Sequence, residues 1–460
     1  MKFVAEACAA EIRRGAAEAL VKNVCTDSRQ AKPGDLFFAI HGEKFDGHDF
    51  LNEVAAKNVA TVVVEKSKVQ SSKSKVTPDI ATLIVDDVRI ALGKLAAAYR
   101  RQFDLPIVCV SGSNGKTTVK ELLASVLRRK FPTLASEASF NNDIGVPLTL
   151  LRLEKSHQAA VLEAGTNHPG ELAPLVKMIQ PKFGVLTNIG REHLEFFGDV
   201  AGVAQEEGWL AELLPADGKL FVNGDNEWTE KIIARTKVKI VRVGLENKND
   251  WRAEKIRLDK NGVTFRVQTP AKKFCGEYRI NLLGRHQVAN ALFAIAVGME
   301  MGLSREEIQR GLFECKPPKM RLQFWEANGV RVLDDAYNAN ADSTIAALET
   351  LCDLPLQGRR VAVLGDMEEL GAHSESAHAE VGRRAAELKI GQLFAVGKMA
   401  AVTAKAARDG GLNRVIEFEN VEAAVTAIRK FLKTGDVVLL KASRASRLER
   451  IAETLKVEKS

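Results

Sequence analysis

The stretch from Ile107 to Leu127 constrains the fold most. It reads IVCV, then SGSNGKTT, then a segment whose apolar residues are Val119, Leu122, Leu123, Val126 and Leu127. The first four residues predict a buried strand. The apolar set behind the loop keeps the spacing of one face of a helix, so an amphipathic helix is predicted there. Between them, Gly112-Ser113-Asn114-Gly115-Lys116-Thr117-Thr118 stands where strand meets helix. Glycines let such a loop turn tightly, and its N–H groups then face an anion at the positive end of the helix dipole. Lys116 can reach the β- and γ-phosphates of a nucleotide, and Thr117 can offer its hydroxyl to Mg²⁺. This is a nucleotide site.

The same alternation of short apolar runs and helical segments continues through the chain. LFFAI (36–40), TVVVEK (61–66) and TLIVDD (82–87) read as strands, with a helix from Val88 to Arg101. Further strands are expected at 159–165, 183–190, 219–224 and 239–244, followed by a β-rich stretch and a helix from Val288 to Met301. After Lys316-Pro317-Pro318, which reads as a linker, the pattern resumes at 330–336, 359–365, 393–397 and 436–443, with a helix from Ser343. Strands alternating with helices predict parallel sheets covered on both faces. At one domain per ~150 residues, a chain of 460 residues accommodates three. The expected fold is α/β: a smaller N-terminal domain (1–104), a central P-loop-like domain with a parallel sheet (105–316) and a C-terminal Rossmann-like domain (317–460).

Composition excludes other classes. No run of five Lys/Arg suggests a nucleic-acid arm, although the net charge is +7. The longest apolar run, Ala291 to Met299, is far short of the ~20 residues of a membrane helix. Glu6, Glu11, Arg13 and Arg14 break the N-terminal apolar stretch, which does not read as a signal peptide. Six scattered cysteines without a CxxC pair read as core thiols in a reducing compartment. A cytoplasmic protein is expected. A regulatory GTPase is the rival from another class, because Asn247-Lys248-Asn249-Asp250 spells N-K-x-D and Asp199 to Gly202 spells D-x-x-G. The phosphate loop argues against it: Val110 stands where the common P-loop has its first glycine.

That short loop resembles the loop of the Mur ligase superfamily, and further blocks agree in order. Thr26-Asp27-Ser28-Arg29, PGDLFFAIHG (33–42) and Asp46-Gly47-His48-Asp49-Phe50 look like its uridine-nucleotide-binding domain. The segment from Phe140 to Thr149, with Asn141 and Asn142, is similar to F-N-N-x-I-G-x-P-L-T. Glu163-Ala-Gly and Asn188-Ile189-Gly190-x-x-His193 match its next blocks. The run from Asp334 to Ser343 (DDAYNANADS) resembles the signature of the branch that adds D-alanyl-D-alanine, and Gly365 to Gly371 resembles a further block of it. The neighbouring branch, which adds the third amino acid to a UDP-muramoyl dipeptide, is the nearest alternative.

The resemblance implies an ATP- and Mg²⁺-dependent ligase that joins D-alanyl-D-alanine to a UDP-N-acetylmuramoyl tripeptide through an acyl phosphate. It also favours a monomer. Lys116 would hold the β,γ-phosphates, Thr117 and Glu163 one Mg²⁺, and His193 a second. Asn290 would contact adenine and Arg321 the γ-phosphate. Asp335, Tyr337 and Asn338 would hold ribose or base, although a capped strand-to-helix turn suits these residues as well. Ser28 and the turn Asp46-Gly47-His48 would take the UDP part, and Asn141 and Asn142 would also contact the substrate. His378 is expected on a surface helix.

Four positions depart from the family pattern. Ala341 replaces proline, Met320 replaces a glycine before Arg321, and Glu192 replaces a small residue. Aligning Gly202-Val203-Ala204 places Glu207 on a lysine that, in the family, reacts with CO₂ and ligates metal as a carbamate. A glutamate already ends in two anionic oxygens. The alternative is a solvated helix position, with Gln205-Glu206-Glu207 as its polar face.

Overall fold

Three sheets follow one another along the chain. The computed structural model describes residues 1–14, 20–70 and 80–456. The first sheet has five strands, ordered in space Glu11–Arg14, Ala81–Val85, Thr61–Glu65, Leu36–Phe38 and Val24–Cys25. Only its first pair is antiparallel.

The second sheet has nine strands. Seven run parallel in the order Trp251–Asp259, Lys239–Gly244, Lys219–Asn223, Phe183–Leu186, Ile107–Ser111, Ala159–Glu163 and Thr133–Ala135. Trp251–Asp259 extends this sheet and is the first strand of an antiparallel meander with Gly262–Gln268 and Gly276–Ile280. That meander is the β-rich stretch of the sequence. The third sheet is ordered Gln323–Ala327, Val330–Asp335, Val437–Lys441, Arg360–Gly365, Gln392–Val396 and Val415–Phe418, parallel after its first pair.

The alternation of side chains along a strand explains the covering of both faces. Val108 and Val110 pack with Val119, Leu122, Leu123 and Val126 of the helix Lys116–Leu127. Their neighbours Ile107 and Cys109 point the other way, into a core with Leu172, Leu175 and Val176 of the helix Leu172–Ile179. This is a doubly wound arrangement, and the expected α/β class holds.

Some local expectations are corrected. His378 is not on a surface: it is 2% exposed, and its Nε2 accepts the N–H of Met367 at 3.0 Å. Both halves of the apparent GTPase signature are turns. Asp199 caps the helix Val200–Glu207 by accepting from Gly202, and Asp250 accepts the N–H of Arg242. The solvated alternative for Gln205-Glu206-Glu207 does not hold. Gln205 is exposed, but Glu206 and Glu207 are buried. Glu206 accepts the N–H groups of Gly170 and Leu172 at 2.9 and 2.8 Å, so it fixes the turn before the next helix.

Candidate active site

In open α/β sheets ligands bind beyond the carboxyl ends of the strands. Here the second and third sheets turn those ends toward one cleft of about 630 Å³. Ile107–Ser111 delivers the phosphate loop, Ala159–Glu163 delivers Glu163, and Phe183–Leu186 leads into the block from Asn188 to His193. From the third sheet, Val330–Asp335 leads to Asp335, Tyr337 and Asn338, and Val437–Lys441 supplies Lys441.

The loop's glycines are required by geometry. Gly115 has φ +89°, and a Cβ there would lie 2.7 Å from Asn290 Oδ1. Gly112 has φ +113°, and its Cβ would meet Thr187 Oγ1 at 2.5 Å. Such backbone favours glycine strongly. The loop is tied down by the 188–190 block: Ser113 and Asn114 donate their N–H groups to Asn188 at 2.8 and 2.7 Å. The first N–H groups of the helix that follows have no intrahelical acceptor and remain for an anion.

Lys116 Nζ donates to the carbonyls of Gly112 and Ser113 and to Glu192 Oε2, the last at 3.1 Å. Burial alone would lower its pKa, but Glu192, Glu207 and Glu163 outweigh burial and raise it. The ammonium therefore stays charged.

At and near the loop, Thr117 Oγ1, Glu163 Oε2 and both oxygens of Glu207 are buried without a hydrogen-bond partner among the described residues. Thr117 is 3% exposed, Glu163 1% and Glu207 0%. Glu163 keeps its other oxygen on Asn141 Nδ2 at 2.9 Å. Burial raises the pKa of the Glu207 carboxyl, Lys116 opposes this, and Glu192 adds to it. Among the described residues no three His, Cys, Asp or Glu side chains converge as a ready-made metal cluster. Orphaned hard oxygens nevertheless fit Mg²⁺, whose remaining ligands are usually phosphate and water.

His193 has φ +49° and its Nδ1 lies 2.5 Å from Glu369 Oε2, across to the third sheet. That contact holds the Glu369 carboxyl below the usual range, and it leaves Nε2 facing the cleft side, 3.9 Å from Glu192 Oε2. A histidine ring oriented by a carboxylate in this way is suited to ligate a metal through its other nitrogen.

Ser113, Asn114, Gly115, Lys116, Thr117, Thr118, Asn141, Glu163, His193, Asn290, Arg321, Asp335, Tyr337 and Asn338 all line the cleft. Arg321 stacks over the Tyr337 ring at 4.3 Å, and Met320 before it adopts φ +59°, the left-handed conformation that a glycine takes without strain. Asp335 is occupied on both oxygens, by Leu322 N–H at 3.0 Å and Lys441 at 2.7 Å. Ala341 is the first residue of the helix Ala341–Asp353, behind the cap Asn340, a position proline tolerates equally well.

Other predicted residues lie elsewhere. Gly112, which opens the loop, and Glu207, which is buried near it, are not on the cleft wall. Asn142 is exposed, and its Oδ1 accepts from Ile144 and Gly145 at the next helix. Ser28, Asp46, Gly47 and His48 belong to the first sheet's surroundings. His48 is buried, with Nε2 accepting from Glu65 N–H at 3.0 Å and Nδ1 on Asp46 at 2.6 Å.

Sequence reasoning missed several cleft residues: Lys441, Ser443, Arg444 and Asn340. Asn340 Nδ2 donates to Asn114 Oδ1 at 2.9 Å, linking the third sheet to the phosphate loop. Lys441 had a signal. It is a lysine closing the apolar strand Val437–Lys441, and it is 2% exposed. A charged group at such a place needs a partner, here Asp335.

A loop built to take an anion, buried oxygens without partners and a second α/β sheet across one cleft are the features of a nucleotide-dependent ligase or kinase. The Mur ligase middle domain matches residues 110–298, the Mur ligase glutamate ligase domain residues 320–444, and the Mur ligase family catalytic domain residues 20–100. The UDP-N-acetylmuramoyl-tripeptide--D-alanyl-D-alanine ligase of Escherichia coli is 37% identical over 94% of this chain and 93% of its own. MurF from Acinetobacter baumannii superposes with a TM-score of 0.89 at 33% identity, covering 99% and 98% of the two chains. MurF ligase from Thermotoga maritima, solved in complex with ADP, superposes with a TM-score of 0.81 at 26% identity, covering 95% and 98%. The chain belongs to the Mur ligase family.

Proposed function

We infer that this protein is an ATP-dependent ligase that joins D-alanyl-D-alanine to a UDP-N-acetylmuramoyl tripeptide in peptidoglycan precursor synthesis. The observation that carries this reading is near-full-length similarity to ligases of that name, together with the cleft's match to phosphoryl-transfer chemistry.

A carboxylate does not react with an amine at neutral pH, because its oxygen is a poor leaving group. ATP supplies a better one. The tripeptide's carboxylate oxygen attacks the γ-phosphorus, the bond to the β-bridging oxygen breaks, and ADP leaves. The amine of D-alanyl-D-alanine then attacks the carbonyl carbon of the acyl phosphate. The tetrahedral adduct expels phosphate with the bonding pair, and the amine gives up its proton as the amide forms. Such transfer depends on positioning and on neutralising charge.

Lys116 and the helix N-terminus would hold the phosphates, and Arg321 would approach the γ-phosphate from the linker. Thr117, Glu163, Glu207 and His193 are the residues that would hold Mg²⁺, which when bound screens the anions being brought together. Asn141 supports Glu163 in that role. Asn290 would meet adenine, and Asp335, Tyr337 and Asn338 the ribose or base.

We read the chain as three domains, 1–104, 105–316 and 317–460, with the first taking the UDP end of the substrate. Because both ring nitrogens of His48 are already engaged, Asp46-Gly47-His48 would shape that site rather than ligate. No helix among the described residues is long and apolar enough to cross a membrane. A monomer working in the cytoplasm, where its precursors are made, suits these features.

The test is phosphate release by purified protein with ATP and Mg²⁺ against a panel of UDP-muramoyl peptides, with and without D-alanyl-D-alanine. Turnover should require the tripeptide and the dipeptide amine. Efficient use of a UDP-muramoyl dipeptide with one diamino acid would instead assign the neighbouring branch.

A further inference from the structure

Lys116 has three protons, and the protein already uses all of them: two on the carbonyls of Gly112 and Ser113, one on Glu192. A phosphate oxygen can therefore reach Lys116 only by taking the place of one of these acceptors. The carbonyls belong to the loop that Lys116 braces, whereas Glu192 is an anion on another segment. Replacing a carboxylate oxygen by a phosphate oxygen preserves the charge pairing of the ammonium. Glu192 lies on the wall of the same cleft and is itself buried.

Its neighbours fix its position. Arg191 donates its N–H and Nε to Asp342, each at 2.9 Å, and its guanidinium also reaches Glu380 at 2.5 Å. His193 holds Glu369. Asp342, Glu380 and Glu369 all belong to the third sheet's domain, so Glu192 is clamped from both sides by contacts across the cleft.

We propose that Glu192 is a positioning residue that occupies Lys116 in the ligand-free enzyme and yields it to the nucleotide's phosphates on binding. The proposal rests on the reading of Lys116 as the phosphate lysine. Nucleotide binding is then an exchange of anions at one ammonium, and part of the phosphate's attraction is used to displace Glu192. While it holds Lys116, the same Glu192 Oε2 also lies 3.9 Å from His193 Nε2.

The experiment is calorimetric titration of the full chain with ADP, magnesium chelated, for the wild type and the Glu192→Gln, Glu192→Ala, Glu192→Asp and Lys116→Ala variants. Removing the competing charge-assisted hydrogen bond should let Glu192→Gln and Glu192→Ala bind ADP more tightly than the wild type, by about tenfold or more. Glu192→Asp should lie between these and the wild type, and Lys116→Ala should bind weakly whatever stands at 192. A merely structural residue would weaken binding when replaced. Unchanged or weaker ADP binding in folded Glu192→Gln and Glu192→Ala would overturn the exchange. Tight ADP binding by Lys116→Ala would instead overturn the assignment of Lys116, and the proposal with it.

Discussion

Replacing Glu207 by glutamine removes one negative charge while leaving the shape of the side chain nearly unchanged. Glu207 is wholly buried and neither of its oxygens has a hydrogen-bond partner among the described residues. The nearby Ser111 hydroxyl is spent on Ala164 O at 2.8 Å, so the Gly112 N–H is the backbone donor left to ease the burial of the carboxyl. Lys116, the cation nearest in effect, is held by Glu192 and two carbonyls. Burial raises the pKa of the Glu207 carboxyl to about 7; above that pH an ionised carboxylate in such a place costs several kcal/mol, and an unpaired amide costs ~1–3 kcal/mol. The ligand-free variant should therefore be more stable than the wild type by about 1–2 kcal/mol, which corresponds to a few degrees in unfolding midpoint. With Mg²⁺ and ADP the order should reverse, because the wild type regains a counter-charge the variant cannot use. At a ligand concentration of ~100 Kd that linkage is worth ~2.7 kcal/mol, and the variant should need about tenfold more Mg²⁺ to reach it. Thermal unfolding in chelator and in Mg²⁺-ADP reads both terms. Equal midpoints in both conditions would refute the reasoning, since Glu207 would then be neither strained without metal nor a ligand with it. Turnover should also be independent of added bicarbonate, because glutamate needs no carbamate to present two oxygens.

Lys116→Ala should lower phosphate release by ~10²–10³ or more, while UDP-peptide binding, measured by calorimetry, stays within about twofold. Gly115→Ala forces a Cβ to within 2.7 Å of Asn290 Oδ1 at φ +89°. Left-handed backbone costs ~1–2 kcal/mol for a non-glycine residue, so ATP affinity should fall about tenfold, as read in a KM or Kd series. Burial pushes the thiols of Cys8 and Cys315 up to about 12 and that of Cys109 further still. Burial raises Cys25 and Cys352 as well, but these and Cys275 are only partly buried, so mass analysis after labelling of the native protein should find adducts on Cys25, Cys275 and Cys352 before any on Cys8, Cys109 or Cys315.

The fold was legible where a period could be counted. The helix behind the phosphate loop and the strand before it were readable because five apolar residues kept one helical face and four kept a strand. The strands Val24–Cys25, Thr133–Ala135 and Val415–Phe418 were not, since so few residues carry no period and owe their pairing to neighbours. The loop and its lysine were legible from local chemistry. Glu207 was legible as a candidate metal ligand only through its alignment with the family, and Glu192 only as a departure from it, because the meaning of both lies in which groups they face. Both are acidic residues in polar-looking stretches, and only the packing of 190–193 and 200–207 near the loop sets them around one lysine. His378 shows the same limit: a histidine on an amphipathic helix reads as exposed until the N–H of Met367 is found on its ring.

The most direct test of the ligase reading follows oxygen. A UDP-muramoyl tripeptide labelled with heavy oxygen in its reacting carboxylate is turned over with ATP, Mg²⁺ and D-alanyl-D-alanine, and the phosphate and peptide products are weighed by mass spectrometry. Passage through an acyl phosphate transfers one labelled oxygen to each phosphate released, alongside an amide heavier by D-alanyl-D-alanine less water. Unlabelled phosphate accompanying amide formation would contradict the account.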